Sequence, residues 1–313
     1  MKALVTGGAG FIGSHLSERL LDQGASVTAI DCFTDYYPRE IKERNLSGPR
    51  KSPNFTFVED ALGTANLDRL LDDVTHVFHL AAQAGVRKSW GKDFRTYTTL
   101  NVDATQVLLE ACVGRPVERV VYASSSSVYG DDTQLPMRED ATPHPVSPYG
   151  VSKLAAEHLC NLYVVNHQVP AVSLRYFTVY GPRQRPDMGF HRFFSAVLDG
   201  RPVVQYGDGL QTRDFTFVAD AVTATVAAAV HGTPGGVYDI GGGSRVSLRE
   251  VFDMISRVSG RQVDTDLQPS QKGDMRDTYA DTSRARADLR FSPATGLEDG
   301  LREMFAWMEA IRR

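Results

Sequence analysis

The sequence predicts an α/β fold: a doubly wound parallel sheet of about seven strands beside a smaller mixed α/β substrate-binding domain. Three observations predict it. Short runs that are apolar on both faces alternate with longer amphipathic stretches, as strands covered by helices on both sides require. A glycine-rich turn, TGGAGFIG, separates the first strand from the first helix. After Phe177 the alternation loosens, loops lengthen and Gly and Pro rise (GPRQRPDMGF, YGDGLQTRDF, HGTPGG, GGGS).

The strands expected in order are Lys2–Thr6, Ser26–Asp31, Phe55–Glu59, 76–80, 119–124, 171–177 and Val237–Ile240. Helices are expected between them at 10–23, 67–72, 97–114, 148–166 and 217–231, each with apolar positions at helical spacing. Right-handed crossovers then place neighbouring strands parallel. Shorter helices are expected at 192–198, Leu248–Ser259 and 297–311. The stretch 217–240 reads as a helix and strand that rejoin the sheet, so the second region need not be contiguous.

Composition narrows the function classes. The 313 residues are 42% hydrophobic and 23% charged, enough for a sizeable buried core. A formal net charge of -4 argues against a nucleic-acid or membrane-surface binder. No leader pattern and no apolar run of membrane length is visible. Cys32, Cys112 and Cys160 are scattered without metal-ligand spacing, which suits free thiols in a reducing compartment. A cytoplasmic protein is expected. His76 and His79 fall on opposite faces of their strand and no acidic ligand follows, so no metal is expected.

Gly7, Gly10 and Gly13 give the spacing GxxGxxG between strand and helix. Such a turn lets the backbone approach a pyrophosphate, and the helix N-terminus presents free N–H groups to it. The second strand ends in Asp31, placed to accept hydrogen bonds from a ribose and to repel a 2′-phosphate, so NAD is expected over NADP. HLAAQ (79–83) ends the fourth strand in small residues that admit a flat ligand, and Asp60 follows FTFVE where it could meet an adenine amino group.

Tyr149 and Lys153, in YGVSK, stand four apart at the start of a helix and share a face. SSSSVYG ends a strand at a βα loop, where open α/β sheets bind ligands. A phenol has an ordinary pKa near 10. A nearby Lys153 ammonium and a positive nicotinamide are expected to favour the phenolate. Tyr149 would then take a proton from a substrate hydroxyl while hydride leaves the same carbon, with Ser125 or Ser126 positioning the oxygen.

Together these residues resemble the extended short-chain dehydrogenase/reductase superfamily, and within it the nucleotide-sugar epimerases and dehydratases. The motifs run from TGGAGFIG through DCFTDYY, HLAAQAGVR, SSSSVYG, YGVSK and RYFTVYGPRQ to QTRDFTFVAD and GDMRDTYAD. The resemblance implies a Rossmann domain over 1–177, rejoined by about 215–240, and a nucleotide-sugar-binding domain over 178–313, mainly 178–214 and 241–313. It implies a tightly bound NAD recycled in each turnover. The implied cofactor contacts are Gly7, Gly10, Phe11, Ile12, Gly13, Asp31, Asp60, Leu62, Leu80, Ala81, Ala82, Gln83, Tyr149, Lys153, Tyr176 and Val179. The implied catalytic set is Ser125 with Ser126, Tyr149 and Lys153.

Within that family, 4,6-dehydratases carry an Asp-Glu pair after the catalytic Thr/Ser, and uronate decarboxylases usually a Glu nearby. Here Ser126 and Ser127 stand in those places, which favours simple epimerisation. Where UDP-glucose 4-epimerases typically have Asn, RYFTVYGPRQRPDM has Thr178, as in UDP-glucuronate 4-epimerases. Ser126, Ser127 and Thr178 are thus expected to hydrogen-bond a C5 carboxylate. Arg213, Asp274 and Arg276 are expected at the UDP, with Arg87, Arg185, Arg192, Gln205 and Tyr206 around the sugar diphosphate. Many relatives have Arg three residues before that Asp, where this chain has Gln271. The expected reaction is interconversion of UDP-glucuronate and UDP-galacturonate at C4. The rivals are a UDP-glucose 4-epimerase, a UDP-glucuronate decarboxylase and a non-catalytic NAD-sensing protein. A homodimer through a helix pair is expected by analogy alone.

Overall fold

The structure is a computed structural model that describes residues 1–312. In its first part the strands are β1 (Lys2–Thr6), β2 (Ser26–Asp31), β3 (Phe55–Glu59), β4 (His76–His79), β5 (Arg119–Ser125) and β6 (Ala171–Tyr176). Then come β7 (Val179–Tyr180), β8 (Val203–Tyr206), β9 (Thr212–Asp214), β10 (Thr216–Phe217), β11 (Val237–Ile240), β12 (Arg245–Ser247) and β13 (Thr265–Gln268). The helices are α1 (Phe11–Asp22), α2 (Arg39–Leu46), α3 (Leu67–Leu70), α4 (Phe94–Tyr97), α5 (Ala104–Cys112) and α6 (Pro148–His167). They continue with α7 (Gly189–Leu198), α8 (Val218–His231), α9 (Leu248–Ser259), α10 (Ser283–Leu289) and α11 (Leu297–Ala310).

Seven strands form one parallel sheet in the order β11-β6-β5-β4-β1-β2-β3. The strand order reverses at β1, so a crevice opens beyond the C-terminal ends of β1 and β4, where ligands bind in open α/β sheets. Alternation within each strand fills both faces. Val5, Phe78, Val121 and Val172 join Leu16 and Leu20 of α1 and Ala221, Val222, Ala224 and Ala228 of α8. Their neighbours Leu4, Val77 and Val120 face the other way, onto Leu108 and Leu109 of α5 and Ala156 and Cys160 of α6. Each fully buried Leu contributes about 1.5–3 kcal/mol on this basis.

The expected strands form, with ends shifted by one residue at β4, β5 and β6. The expected helix 97–114 is instead α4, a π-helical turn over Thr98–Asp103 and α5, which together start at Phe94. α2 was not expected, since REIKERNL is polar on nearly every face, and α10 is likewise short and polar. α7 begins three residues before the expected position 192, with Met188 as the N-cap whose carbonyl accepts the Arg192 amide.

The smaller region is built from two-stranded pairs: β7 with β10, β8 with β13, and β9 with β12. β11 returns to the edge of the main sheet beside β6. Tyr180, Phe190, Phe215 and Phe217 pack edge to face or tilted where these pieces meet; Tyr180 and Phe190 have centroids 5.1 Å apart. Ser247 and Glu250 form a reciprocal capping box on α9. No helix among the described residues is long and apolar enough to cross a membrane. Cys112 and Cys160 are buried, Cys32 is exposed, and all three are free thiols.

Candidate active site

A cavity of about 410 Å³ lies along the crevice. It is lined at one end by the glycine turn, Asp31, Asp60 and Leu62, and at the other by Ser125, Ser126, Ser127, Tyr149, Lys153, Thr178 and Arg185. Leu80, Ala81, Ala82 and Gln83 form its floor, and Tyr176 and Val179 a wall. Every residue expected at the cofactor therefore borders one space, as does every expected catalytic residue.

The glycine turn fits a closely approaching dinucleotide. Gly7 has φ +68°, and a Cβ there would stand 2.9 Å from the Ala81 amide nitrogen. A Cβ on Gly13 would lie 2.3 Å from the Gly7 carbonyl oxygen. The N-cap of α1 is Gly10, which supplies no side-chain acceptor, so the first-turn amides are available to an anion. Phe11 and Ile12 are the first residues of that turn and line the cavity. Asp31 Oδ1 accepts hydrogen bonds from the Phe33 amide (2.9 Å) and the Lys42 ammonium (3.1 Å). Oδ2 has no protein donor among the described residues, which leaves it for a ribose hydroxyl. Lys42 itself lines the cavity, and sequence reading missed it because it lies on the unexpected helix α2. Asp60 is held by its own loop, accepting from Ala61 N and Thr64 Oγ1.

Under the turn lies a chain of buried hydrogen bonds. Thr105 Oγ1 donates to the Asn101 carbonyl (2.6 Å), so it can only accept from His79 Nε2 (2.9 Å). His79 Nδ1 then accepts from Thr6 Oγ1 (2.8 Å), which in turn accepts the Ala81 amide (3.0 Å). This requires a neutral His79 with its proton on Nε2. Asn101, in the π-helical turn, continues the chain: it accepts from Gln83 N (2.6 Å) and donates to Gln83 O and to Ser152 Oγ. Ser152 Oγ donates to the Tyr149 carbonyl (2.8 Å). β1, β4 and the N-terminal turn of α6 are thereby joined.

Burial drives the His79 pKa down to about 3, with the Lys153 charge acting in the same direction. The folded value lies below the ordinary value of about 6.5, so the unfolded chain binds the proton first. This contribution to stability is complete above pH ~6.5 and is lost as pH falls toward 3; the shift corresponds to about 5 kcal/mol at full extent. His79→Gln is expected to flatten the urea-denaturation stability profile between pH 6.5 and 4.

At the other end of the cavity, Tyr149 stacks edge to face on Tyr97, with ring centroids 6.2 Å apart. Burial raises the Tyr149 pKa, opposed by a hydrogen bond with Ser125 and by the Arg185 charge. Lys153 is enclosed, its Nζ lies 4.7 Å from the centre of the Tyr122 ring, and burial lowers its pKa to about 8. Ser125 Oγ also accepts the Ser127 amide (3.1 Å), closing the turn after β5. The hydroxyls of Ser126, Ser127 and Thr178 have no protein partner among the described residues, and all three border the cavity. Arg185 is bidentate to Asp187 (3.0 and 3.1 Å) beside Tyr36.

The remaining expected substrate residues gather outside this cavity. Tyr206 lies between Arg87 and Arg192, whose guanidinium carbons stand 4.2 and 5.7 Å from its ring centre. Arg87 also pairs with Asp274 (2.6 Å), and Arg276 with Asp208 (3.0 Å). Two of the expected residues bond the protein's own backbone. Arg213 is half-buried and donates to the Thr212, Met275 and Arg276 carbonyls, which braces the 275–276 segment. Gln205 is buried and donates to the Gly207 carbonyl (3.0 Å), closing its own turn. Gln271 is exposed and contacts only its own loop.

Comparison with known proteins agrees with this geometry. The description of the NAD dependent epimerase/dehydratase family matches residues 3–241. A Bacillus subtilis protein named as an uncharacterized UDP-glucose epimerase, YtcB, is 44% identical over 99% of both chains. A UDP-glucuronate 4-epimerase of Thermodesulfobacterium geofontis is 35% identical over 97% of this chain and 95% of its own. The crystal structure of a UDP-glucuronic acid 4-epimerase from Bacillus cereus, in complex with UDP-glucuronic acid and NAD, superposes with a TM-score of 0.97 at 43% identity. That superposition covers 99% of this chain and 100% of the other. With the glycine turn, Asp31 and the Tyr149/Lys153 pair set around one crevice, the chain belongs to the NAD-dependent epimerase/dehydratase family.

Proposed function

We propose that the protein is a C4 epimerase interconverting UDP-glucuronate and UDP-galacturonate. One observation carries the choice of substrate: Ser126, Ser127 and Thr178 offer three unpaired hydroxyls beside Tyr149 and no carboxylate among them. Hydroxyl donors suit a sugar carboxylate, and the lack of an acid there disfavours elimination and decarboxylation. NAD, when bound, supplies the hydride acceptor and donor for C4. The α1 amides would hold its pyrophosphate, Asp31 with Lys42 its adenosine ribose, and Asp60 with Leu62 its adenine. Ala81, Ala82, Tyr176 and Val179 would enclose the nicotinamide end, against Tyr149 and Lys153.

The chain's own residues then handle the proton and the sugar. Ser125 positions the 4-hydroxyl and Tyr149 takes its proton, leaving a 4-keto sugar. The hydroxyl cluster holds the carboxylate while the sugar turns over with its diphosphate anchored by the Arg87–Tyr206–Arg192 group. Hydride would return to the opposite face of C4, and Tyr149 returns the proton to the 4-oxygen. Residues 178–214 and 241–313 act together as the nucleotide-sugar half of the molecule. Incubation with UDP-glucuronate and, separately, UDP-glucose without added NAD, followed by proton NMR of the sugar, tests this reading. Turnover of UDP-glucose alone would sink it, and release of pentose and CO2 would point to a decarboxylase. A neutral-sugar epimerase is the second reading, favoured by the name of the Bacillus subtilis relative. Thr178→Asn is expected to lower kcat/KM for UDP-glucuronate about 10-fold more than for UDP-glucose, the loss of one charge-assisted hydrogen bond; equal losses would make the threonine structural.

A homodimer through the α5/α6 face belongs to the same proposal. Val151, Leu162 and Val165 are exposed and fall on one side of α6 at helical spacing. Leu162→Glu is expected to convert a dimer into monomers in sedimentation velocity, with a monomeric wild type removing the proposal.

A further inference from the structure

Beneath the site, Glu157 stands one turn beyond Lys153 on α6 and is buried. Both of its carboxylate oxygens are engaged. Arg175 of β6 donates to Oε1 (2.6 Å) and to Oε2 (3.1 Å), and Ser124 of β5 donates to Oε2 (2.6 Å). The third arm of Arg175 donates to the Tyr129 hydroxyl (2.7 Å), which donates to Asp239 of β11 (2.7 Å). A buried ion pair is a weak source of stability, because desolvation offsets its Coulomb attraction. Its position explains it better. Glu157 meets three elements, and each carries part of the site: α6 holds Tyr149 and Lys153, Ser124 directly precedes Ser125, and β6 leads within three residues of Arg175 to Thr178.

The carboxylate also sets the charge around Lys153. Facing that ammonium are Cys160 and Glu157 from α6, His79 from β4 and Tyr122 from β5. Arg175, from β6, is turned onto Glu157, and Tyr97 of α4 faces Tyr149. Glu110 of α5 bonds Tyr163, farther along α6. Burial holds His79 neutral and pushes the Cys160 thiol up to about 12, so neither is charged near neutral pH. Tyr122 is likewise pushed up by burial. Glu157 is therefore the negative charge acting on Lys153.

We infer, resting on the epimerase reading, that Glu157 is a positioning residue. Clamped by Arg175 and bonded by Ser124, it locks the Tyr149/Lys153 helix turn to the serine turn, one helical turn from Lys153. The chemistry of the step is unchanged, since Glu157 touches neither substrate nor cofactor.

The test is Glu157→Gln in the NAD-bound protein. The Lys153 titration midpoint, read by NMR of protein labelled with ¹³C at the lysine ε-carbons, is expected to fall by about one pH unit. With UDP-glucuronate, kcat is expected to fall about 10- to 100-fold while KM stays within about twofold. An unchanged midpoint or an undiminished kcat overturns the inference. Glu157→Gln leaves Arg175 buried without its partner, so Glu157→Gln with Arg175→Met carries the same kcat and KM expectations if the single variant does not fold, with a smaller shift of the Lys153 midpoint because both charges are removed. The titration needs no turnover. A wild type that epimerises no UDP-uronate defeats the proposed function, while the midpoint still judges Glu157, with kcat then measured on whichever UDP-sugar the protein turns over.

Discussion

Tyr149→Phe lowers kcat on UDP-glucuronate about 1,000-fold, within the range for loss of a general acid–base, and leaves bound NAD and the melting temperature unchanged. The factor corresponds to about 4 kcal/mol of barrier. The substitution removes one oxygen. The ring keeps its edge-to-face packing on Tyr97 and its place in the first turn of α6. What disappears is the hydroxyl facing Ser125, to which the proposed mechanism gives proton transfer with the 4-oxygen. Burial alone holds that phenol above its ordinary range, so the Ser125 hydroxyl and the Arg185 charge are what move it toward proton transfer. Proton NMR of the sugar, absorbance of extracted cofactor and thermal melting separate the cases. Full activity in the variant would remove Tyr149 from the chemistry, and loss of folding would make the comparison one of stability.

Gly13→Ala abolishes cofactor retention. The added Cβ would stand 2.3 Å from the Gly7 carbonyl and 3.0 Å from Gly8 Cα, both backbone atoms that cannot swing aside. The turn must open, and the amides it aims at the pyrophosphate lose their common focus. NAD affinity by titration calorimetry is expected to weaken more than ~100-fold, about 3 kcal/mol, and the purified variant to carry no cofactor. The sheet should survive, because the altered atoms lie beyond the end of β1 and outside both main core layers. A variant purified with NAD at wild-type occupancy would show that the turn tolerates a side chain and is not the cradle described here.

Residues close in sequence were the ones that could be read in advance. The strands of the main sheet were visible because each is a short run apolar on both faces, and the glycine turn because its three glycines lie within seven residues. Tyr149 and Lys153 were visible as one helical face. Lys42 was not, because it reaches the cavity from a helix with almost no apolar stripe. The backbone bonds of Arg213 and Gln205 could not be read in advance for a related reason. Their residue types suit a nucleotide, but which backbone carbonyls would consume their donors depends on how segments 205–207, 212–214 and 275–276 meet.

By itself the sequence determined the parallel sheet, the position of the glycine turn, the acid at the end of β2 and the pairing of Tyr149 with Lys153. All of these follow from periodicity or from spacing within one element. Tertiary structure decided the rest. It gathered Ser126, Ser127 and Thr178 from the ends of two strands into one unpaired cluster, and set His79 and Asn101 as links from the glycine turn to α6. It also buried the phenol of Tyr149, which raises its pKa, against the Ser125 hydroxyl and the Arg185 charge. Desolvation and hydrogen-bond saturation depend on everything that surrounds a group, and most of those surroundings come from distant parts of the chain.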